Sequence, residues 1–537
     1  MQFVRGSGRS HDIRTFQDSR TILFSRDLHG DRPPQLVPRS MERLPFECLV
    51  EVFSNLDELS DLANAAKTCA AFRDATLSDY IWRNMCVKAQ HGERLDFNEN
   101  VLGTFSHPDA QSTPRKSTRK VSSHSPASGE SWRDVYRATS YSRASTICID
   151  TGRGYAKYGL ASSPHPRSIQ ICMPDAEADQ QSLYSLALVR LGFRNKKTVQ
   201  NLSAIVSEPF VFASQTPTAT RARKEWRQAI ERRLLSFEIR RLAIVDSASL
   251  CLFANKLTTG VVLNIGFGYS YVVPVIAGHI IRSAVQAIDF SGMGLTQAMA
   301  QMLHREGVDL EWQPEMGGPP LASITVARNI KELAAEVLPV RPKCTHEIFS
   351  SMPATKTVTL GEVTLEIGAA RFLCPEVLFG FGQSDENSLQ HGVVNAVNEA
   401  ARIIEATTNS ELAGDEDVAA AAEALGRLAG DEETTRRKLL GSVVLSGGTA
   451  GIPGLYTRLQ TEICHLLAAN NSDPATIESV TVHEPFQNDE AQWRGAAALA
   501  GTSTFAAHWC VHRTAPSSKE DSLIDSCSEV ASTCLVS

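Results

Sequence analysis

Apolar residues recur at helical spacing from Leu44 onward in LPFECLVEVFSNLDELSDLANAAKTCAAFRDATLSDYIWRNMC, with Asn55 and Asp57 breaking the run. That pattern predicts three short helices over about 44–88. After Ser145 the texture changes, and strands alternate with helices as far as about 508. STICIDTGRGYAKYGLA (145–161) reads as strand, Gly-rich turn, strand, and GVVLNIGFGYSYVVPVIAGH (260–279) repeats the order. KLLGSVVLSGGTAGIPGLYTRLQTEI (438–463) reads as strand, Gly-rich turn, helix. A strand–turn–strand unit used twice predicts an internally duplicated α/β domain whose hairpin tips face phosphate.

The segments between these patterns divide the chain further. Residues 1–40 are rich in Arg, Ser, Gly and Pro and read as a disordered tail. Residues 89–145 read as a Ser/Pro/basic linker, with one short helix near 131–140 anchored by Trp132 and Tyr136. The stretch 404–438 reads as an acidic insertion, its part 411–438 Ala-rich and acidic and read as a surface helix in a loop. Residues 509–537 are Ser-rich and read as a flexible tail. A chain of 537 residues has room for two or more folding units.

Composition narrows the classes. The hydrophobic fraction of 42% and charged fraction of 21% suit a globular protein with a sizeable core. A net charge of -7 argues against general nucleic-acid affinity, so no direct nucleic-acid partner is expected. PRKSTRK (114–120) is weighed as a nuclear-import patch against the blander reading of a solvated charge run. The twelve cysteines are scattered, without CxxC or zinc-ligand spacing, which suits thiols in a reducing compartment and predicts no metal site. No stretch approaches the roughly 20 apolar residues of a membrane helix, and the N-terminus lacks a signal-peptide core. A cytosolic or nuclear protein without a membrane partner is expected. No Ser/His/Asp or Cys/His arrangement supports nucleophilic catalysis, so no catalytic residue is assigned.

The order Leu44, Pro45, Glu47, Leu49, Val52, Phe53, Leu56, Leu59, Leu62, Ala66, Cys69, Phe72 and Trp82 resembles an F-box. The resemblance implies docking on a Skp1-type adaptor of a cullin ubiquitin ligase, with Leu44, Pro45, Leu49, Val52 and Leu56 as the adaptor-facing residues. A segment of about 45 residues buries little apolar surface, so a covering partner is physically expected. The alternative is a helical hairpin packed on the large domain, its Leu and Phe residues simply core.

The large domain carries three Gly turns in order: Asp150-Thr151-Gly152-Arg153-Gly154 followed by Lys157 and Gly159, then Asn264-Ile265-Gly266-Phe267-Gly268, then Leu445-Ser446-Gly447-Gly448-Thr449. With IVSEPF (205–210), NIKEL (329–333), RFLCPEVLF (371–379) and QWRGAAALAGTSTF (492–505), it resembles the actin family over about 146–508. The resemblance implies a duplicated RNase H-like fold, the actin ATPase fold, behind an all-α F-box. Glycines in such turns let backbone N–H groups approach phosphate oxygens.

The family holds Mg²⁺ through one Asp from each hairpin, and a Gln orients the attacking water. Here Asp150 is kept, Asn264 and Phe267 replace the second hairpin's carboxylates, Ser247 stands at the Gln position, and Arg153 replaces a Ser. The resemblance therefore implies lost ATP hydrolysis. ATP or ADP, if held, is expected to bind with weak Mg²⁺ dependence. Its contacts would be Asp150, Gly152, Arg153, Lys157, Asn264, Gly266, Lys331, Glu332, Gly447 and Gly448, with Lys331 and Glu332 on the adenine side. The competing reading is that the turns keep glycine only for φ > 0, with Phe267 filling an empty cleft.

The segment 171–204 is far shorter than the family's, so the small outer lobe is expected to be mostly missing. Without it, an actin-like filament is not expected. An F-box ahead of an actin-like domain resembles a plant subfamily of actin-related proteins, the plant actin-related protein eight subfamily. That resemblance implies a protein of the nucleus or nucleolus, with the cytoplasm as an alternative. Its expected role is linking a Skp1–cullin ligase or nuclear complex to a partner bound by the actin-like domain. The alternatives are a nucleotide-binding structural subunit of a nuclear or chromatin complex, and a weak ATPase switch.

Overall fold

The helical run after Leu44 forms four helices rather than the expected three: α1 (Phe46–Ser54), α2 (Leu59–Thr68), α3 (Ala70–Thr76) and α4 (Asp79–Ala89). The extra break falls at Cys69, whose extended backbone and Sγ, accepting from the Phe72 amide, start α3 directly after α2. No Gly or Pro marks that break, so the spacing alone runs the two helices together. Pro45, with ψ of 150°, occupies the residue before α1 and so starts the helix where a proline is tolerated.

The protein is described from a computed structural model, over residues 44–56, 59–89, 132–170, 177–193, 199–213, 216–308, 310, 321–342, 355–361, 363–381, 385–409, 431–484, 489–502, 505 and 510–512. The expected tail at 1–40, most of the 89–131 linker with PRKSTRK, and residues 513–537 lie outside the described residues. The chain divides into two compact units: residues 1–93 with 126–136, and the remainder.

The first unit closes its own core. Leu49, Val50, Phe53, Leu62, Ala75, Ile81 and Met85 are buried together, and Phe53 meets the edge of Phe72 at 5.1 Å. Trp82 donates its indole N–H to the Thr76 carbonyl at 2.7 Å. The start of α5 (Trp132–Ala144) belongs here, with Tyr136 stacked 5.3 Å from Trp82. One expected adaptor contact is thereby corrected. Leu49 is only 1% exposed and is core, while Leu44 and Leu56 pack partly against that core. Helical periodicity turns Leu49, Val50 and Phe53 inward, and Pro45, Phe46, Cys48 and Val52 are exposed, Phe46 although it stands on the inward stripe at the first residue of the helix.

The second unit is built on two sheets. In the first, β1 (Thr146–Thr151), β4 (Ser203–Glu208) and β5 (Arg241–Asp246) run parallel, while β2 (Tyr155–Leu160) and β3 (Arg167–Gln170) continue antiparallel from β1. In the second, β6 (Gly260–Ile265) pairs antiparallel with β7 (Ser270–Ile276), which carries β8 (His279–Ile280) and β9 (Gln286–Ile288). β12 (Val443–Ser446) lies parallel to β6. Each sheet thus repeats one plan: a Gly-tipped hairpin whose first strand has a parallel neighbour. A separate hairpin, β10 (Lys356–Leu360) and β11 (Val363–Ile367), stands outside both sheets.

Helices cover the sheets. α6 (Glu177–Arg190) and α7 (Pro217–Ser236) bury Tyr184, Leu188, Ile230 and Leu234 against the first sheet. The second sheet shares its core with α9 (Gly292–Arg305), α10 (Leu321–Ala334), α11 (Ala370–Glu376), α12 (Leu389–Asn409), α13 (Glu432–Leu440), α14 (Leu455–Ala469) and part of α15 (Pro474–Ser479). Between the sheets run α8 (Ser247–Ala254) and α16 (Ala491–Ala500). Leu250 and Phe253 of α8 join the first sheet's core with Trp493 and Ala496, whereas its Ala248 and Leu252 join the second sheet's.

Three expectations about segments are refined. Between β3 and β4 the described residues form α6, whose Tyr184 is fully buried, so this short connection seals the sheet. The stretch 404–438 is not one insertion. Within it, Ile404 on α12 belongs to the core and α13 buries Thr435, while 410–430 lie outside the described residues. The tail assigned to 509–537 starts too early, because β13 (Val511–His512) pairs antiparallel with β5 at the sheet edge.

The α8–α16 crossing depends on Gly495, where an added Cβ would stand 1.8 Å from the Leu250 carbonyl oxygen. A Gly495→Ala substitution should lower unfolding free energy by about 1–3 kcal/mol or more, since backbone has to shift. Gly448→Ala, where nothing lies within 4 Å, should stay within about 0.5 kcal/mol of the native chain. Denaturant unfolding of both variants checks this, and equal effects would contradict the packing.

Candidate functional site

The two hairpins and the third turn meet at one cleft because their strands share the same ends. Asp150 and Lys157 are register partners on β1 and β2, while Asn264 and Tyr271 are partners on β6 and β7. Ser446 lies beside Asn264 on parallel β12, which brings Gly447 against the second hairpin. The cleft encloses about 820 Å³, within the range usual for ligand sites. All ten expected contact residues line it: Asp150, Gly152, Arg153, Lys157, Asn264, Gly266, Lys331, Glu332, Gly447 and Gly448. Ser247 and Phe267 line it too.

Most of their side chains are already committed to protein partners. Asp150 accepts from the Ser207 hydroxyl at 2.6 Å. Burial raises its pKa above the ordinary carboxylate range, against the pull of Lys157 and Ser207. The Lys157 ammonium donates to the Asp489 carbonyl and lies 3.4 Å from the Asp489 carboxylate. Lys331 donates to the Gly292 carbonyl at 2.8 Å and to Thr296 at 3.0 Å, tying α10 to α9, and burial lowers its pKa to about 8. Glu332 pairs with Arg328 at 2.9 Å. Ser247 donates to the Glu208 carbonyl at 2.6 Å, so its proton points into the protein rather than towards a water. Arg153 and Lys157, both expected among the nucleotide contacts, are turned to protein partners, with the Arg153 guanidinium lying 4.3 Å above the Tyr269 ring.

The glycines are retained for a reason that the sequence does not show. Only Gly447 among the three turns has a positive φ, at 89°, where a Cβ would also meet the Ile265 carbonyl oxygen at 2.4 Å. The glycines of the first two turns are required by close contact instead. A Cβ on Gly152 would stand 2.7 Å from the Tyr155 carbonyl oxygen, and one on Gly266 would stand 2.8 Å from the Tyr269 carbonyl oxygen. The reading that φ > 0 explains all of them is therefore corrected for those two turns.

Arg328 was not singled out from the sequence. It is 7% exposed and its guanidinium sits 4.6 Å from both the Tyr155 and Phe267 rings. Helical spacing offered the signal, since Arg328 lies three and four residues before Lys331 and Glu332 and so shares their face. Behind Ser247, buried Glu208 is gripped by Arg223 and Arg227, both bidentate at 2.6–2.9 Å, and Asp246 pairs with Arg282 at 3.0 Å. This ion cluster ties α7 to the ends of β4 and β5.

A Mg²⁺-bound nucleoside triphosphate does not fit the hairpin tips as they stand. Asp150 is the sole carboxylate that the two hairpins contribute, and it sits beside the Lys157 cation. Among the described residues no cluster of three or more His, Cys, Asp or Glu is placed to hold a metal. A hard divalent cation needs anionic oxygens, so no step through bound metal is derived.

Asp150 supplies a pH test. Its raised pKa means that the folded state pays to keep the carboxylate charged above that pKa, and this cost vanishes below the ordinary 3.8, where both states are protonated. An Asp150→Asn variant, which keeps an acceptor for Ser207, should be at least as stable as the native chain at pH 7. That advantage should shrink to nothing in acid unfolding measurements near pH 3. A variant that is less stable at neutral pH would show that the Lys157 attraction outweighs burial.

Comparison with known families agrees with this geometry. The Actin family profile matches residues 186–514, more than half of the chain, and the F-box-like profile matches residues 41–88. The actin match begins after the first hairpin, whose place beside β4 is seen in the fold. The chain is 24% identical over 496 residues to Actin-related protein 8 of Oryza sativa subsp. indica, and equally to that of subsp. japonica. These alignments cover 88% of this chain and 87% of each relative. It is 23% identical over 498 residues to Actin-related protein 8 of Arabidopsis thaliana, covering 90% of this chain and 92% of that one. With two sheets of one plan, three Gly turns at one cleft and a four-helix unit ahead of them, this chain belongs to the actin family and carries an F-box-like domain.

Proposed function

We propose that the protein is an interaction protein in which the F-box-like unit engages a Skp1-type adaptor, and through it a cullin, while the actin-like unit holds a second partner. The observation that carries this is the exposed apolar surface of α1. The small unit closes its core with Leu49, Val50 and Phe53 yet leaves Pro45, Phe46 and Val52 in solvent, Phe46 at 50% and Val52 at 41% exposure. Large apolar groups left exposed on one short helix of so small a unit mark a binding surface.

The cleft supports the non-catalytic half of the reading. Ser247 directs its hydroxyl into the protein, and Asn264 and Phe267 supply no charge where phosphoryl transfer would need a metal. The α6 connection supports a protein that does not polymerise as actin does, since it packs Tyr184 into the core instead of projecting a lobe. The nucleus is the compartment we propose for the complex.

Phe46→Asp in the full chain should weaken capture of a purified Skp1-type adaptor about tenfold or more, the loss expected for an exposed apolar anchor. An acid in the first helical turn is compatible with α1, so the unit should stay folded. Capture unchanged by this substitution would refute the adaptor surface. Phosphate release from Mg²⁺–ATP should remain at the no-protein background, and steady turnover would refute the non-catalytic assignment.

A further inference from the structure

We infer that the cleft is clasped by the protein's own side chains, with the two hairpin tips joined directly in the space that a nucleotide's phosphates would need. This inference rests on the cleft alone and is independent of the adaptor reading.

The joining is reciprocal. Gly152-Arg153-Gly154 and Gly266-Phe267-Gly268 have the same form, and the middle residue of each lies on the last glycine of the other. A Cβ on Gly154 would stand 2.9 Å from the Phe267 Cβ and 3.1 Å from its Cγ. A Cβ on Gly268 would stand 2.8 Å from the Arg153 Cδ. A larger residue at Gly154 would press on the root of the Phe267 side chain, and one at Gly268 would displace the Arg153 side chain. Two of the departures from the family pattern, Arg153 and Phe267, are therefore the groups that make the contact.

Cation–aromatic pairs complete the clasp. Arg153 of the first hairpin lies 4.3 Å above Tyr269 of the second. Arg328, from α10, lies 4.6 Å from Tyr155 of the first and from Phe267 of the second, and Glu332 holds it at 2.9 Å. Such pairs strengthen when water is excluded, and Arg328 is nearly buried. Phosphates entering between the tips would have to displace the Phe267 ring and strip Arg153 from Tyr269. Among the glycines of the three turns, only Gly448 opens onto free space. Contact between the hairpin tips is thus built into the chain and does not wait for a ligand.

The test is a disulfide across the tips in the full-length chain. With Arg153→Cys and Gly268→Cys, the two Cβ positions lie 3.7 Å apart, inside the roughly 3.5–4.5 Å that a disulfide spans. After removal of any nucleotide, oxidised glutathione should cross-link most of the folded chains, read by peptide mass spectrometry. Millimolar Mg²⁺–ATP should change the rate less than twofold. Failure to cross-link in folded protein, or a tenfold slowing by Mg²⁺–ATP, would overturn the clasp. Should that double variant not fold, Arg153→Ser and Tyr269→Ala take its place. Each should lower the melting temperature, and the pair together should fall no further than the worse single variant. Additive losses, or a rise of several degrees in the native chain with Mg²⁺–ATP, would equally overturn it.

Discussion

The contact between the two hairpin tips is the constraint on which the shape of the actin-like unit depends. Each sheet ends its first strand pair in a turn of glycine, large residue, glycine, and the large residue of one turn packs on the glycine of the other. The packing leaves no room for a side chain at Gly154 beside Phe267, nor at Gly268 while Arg153 lies on it. It also needs the hinge behind it to hold the sheets at the right separation. That hinge is the α8–α16 crossing, where Gly495 lets two backbones touch. Glycines at the back and the front of the cleft thus fix one closed arrangement, and α8 joins the two cores between them.

Electrostatics follow the same economy. The charged residues that a phosphate would call upon are spent inside the protein: Lys157 on Asp489, Lys331 on Gly292 and Thr296, and Arg328 on Glu332 and two rings. Asp150 stays as a buried carboxylate with a raised pKa beside Ser207. Buried charges of this kind are retained when they are paired, and the Lys157 and Lys331 contacts also link separate elements, whereas Arg328–Glu332 lies within α10. The cleft serves as scaffold, and its polar groups act as ties.

Much of this was legible in the sequence because turns and periodicity are local signals. The three Gly turns located both sheets and the cleft, and every residue assigned to the site from them lines it. What the sequence hid was partnership. Nothing local says that Lys331 reaches Gly292 on another helix, or that Arg153 turns to Tyr269 rather than to a ligand. Arg328 escaped notice because an Arg on a helix reads as a solvated face until the rings around it are seen. Leu49 was misplaced for a related reason. A helix of nine residues with apolar groups on most sides does not reveal which side its own small core will claim. The Cys69 break was missed because a thiol cap lacks the usual start signal of a helix.

The central claim is that the hairpin tips are joined by protein contacts, and amide hydrogen exchange at the tips measures this most directly. In nucleotide-stripped full-length protein, the amides of 152–154 and 266–268 should exchange slowly, at rates that added Mg²⁺–ATP leaves unchanged. Fast exchange in the stripped protein that becomes slow on adding Mg²⁺–ATP would mean that a ligand, and not the Phe267–Gly154 and Arg153–Gly268 contacts, holds the cleft together.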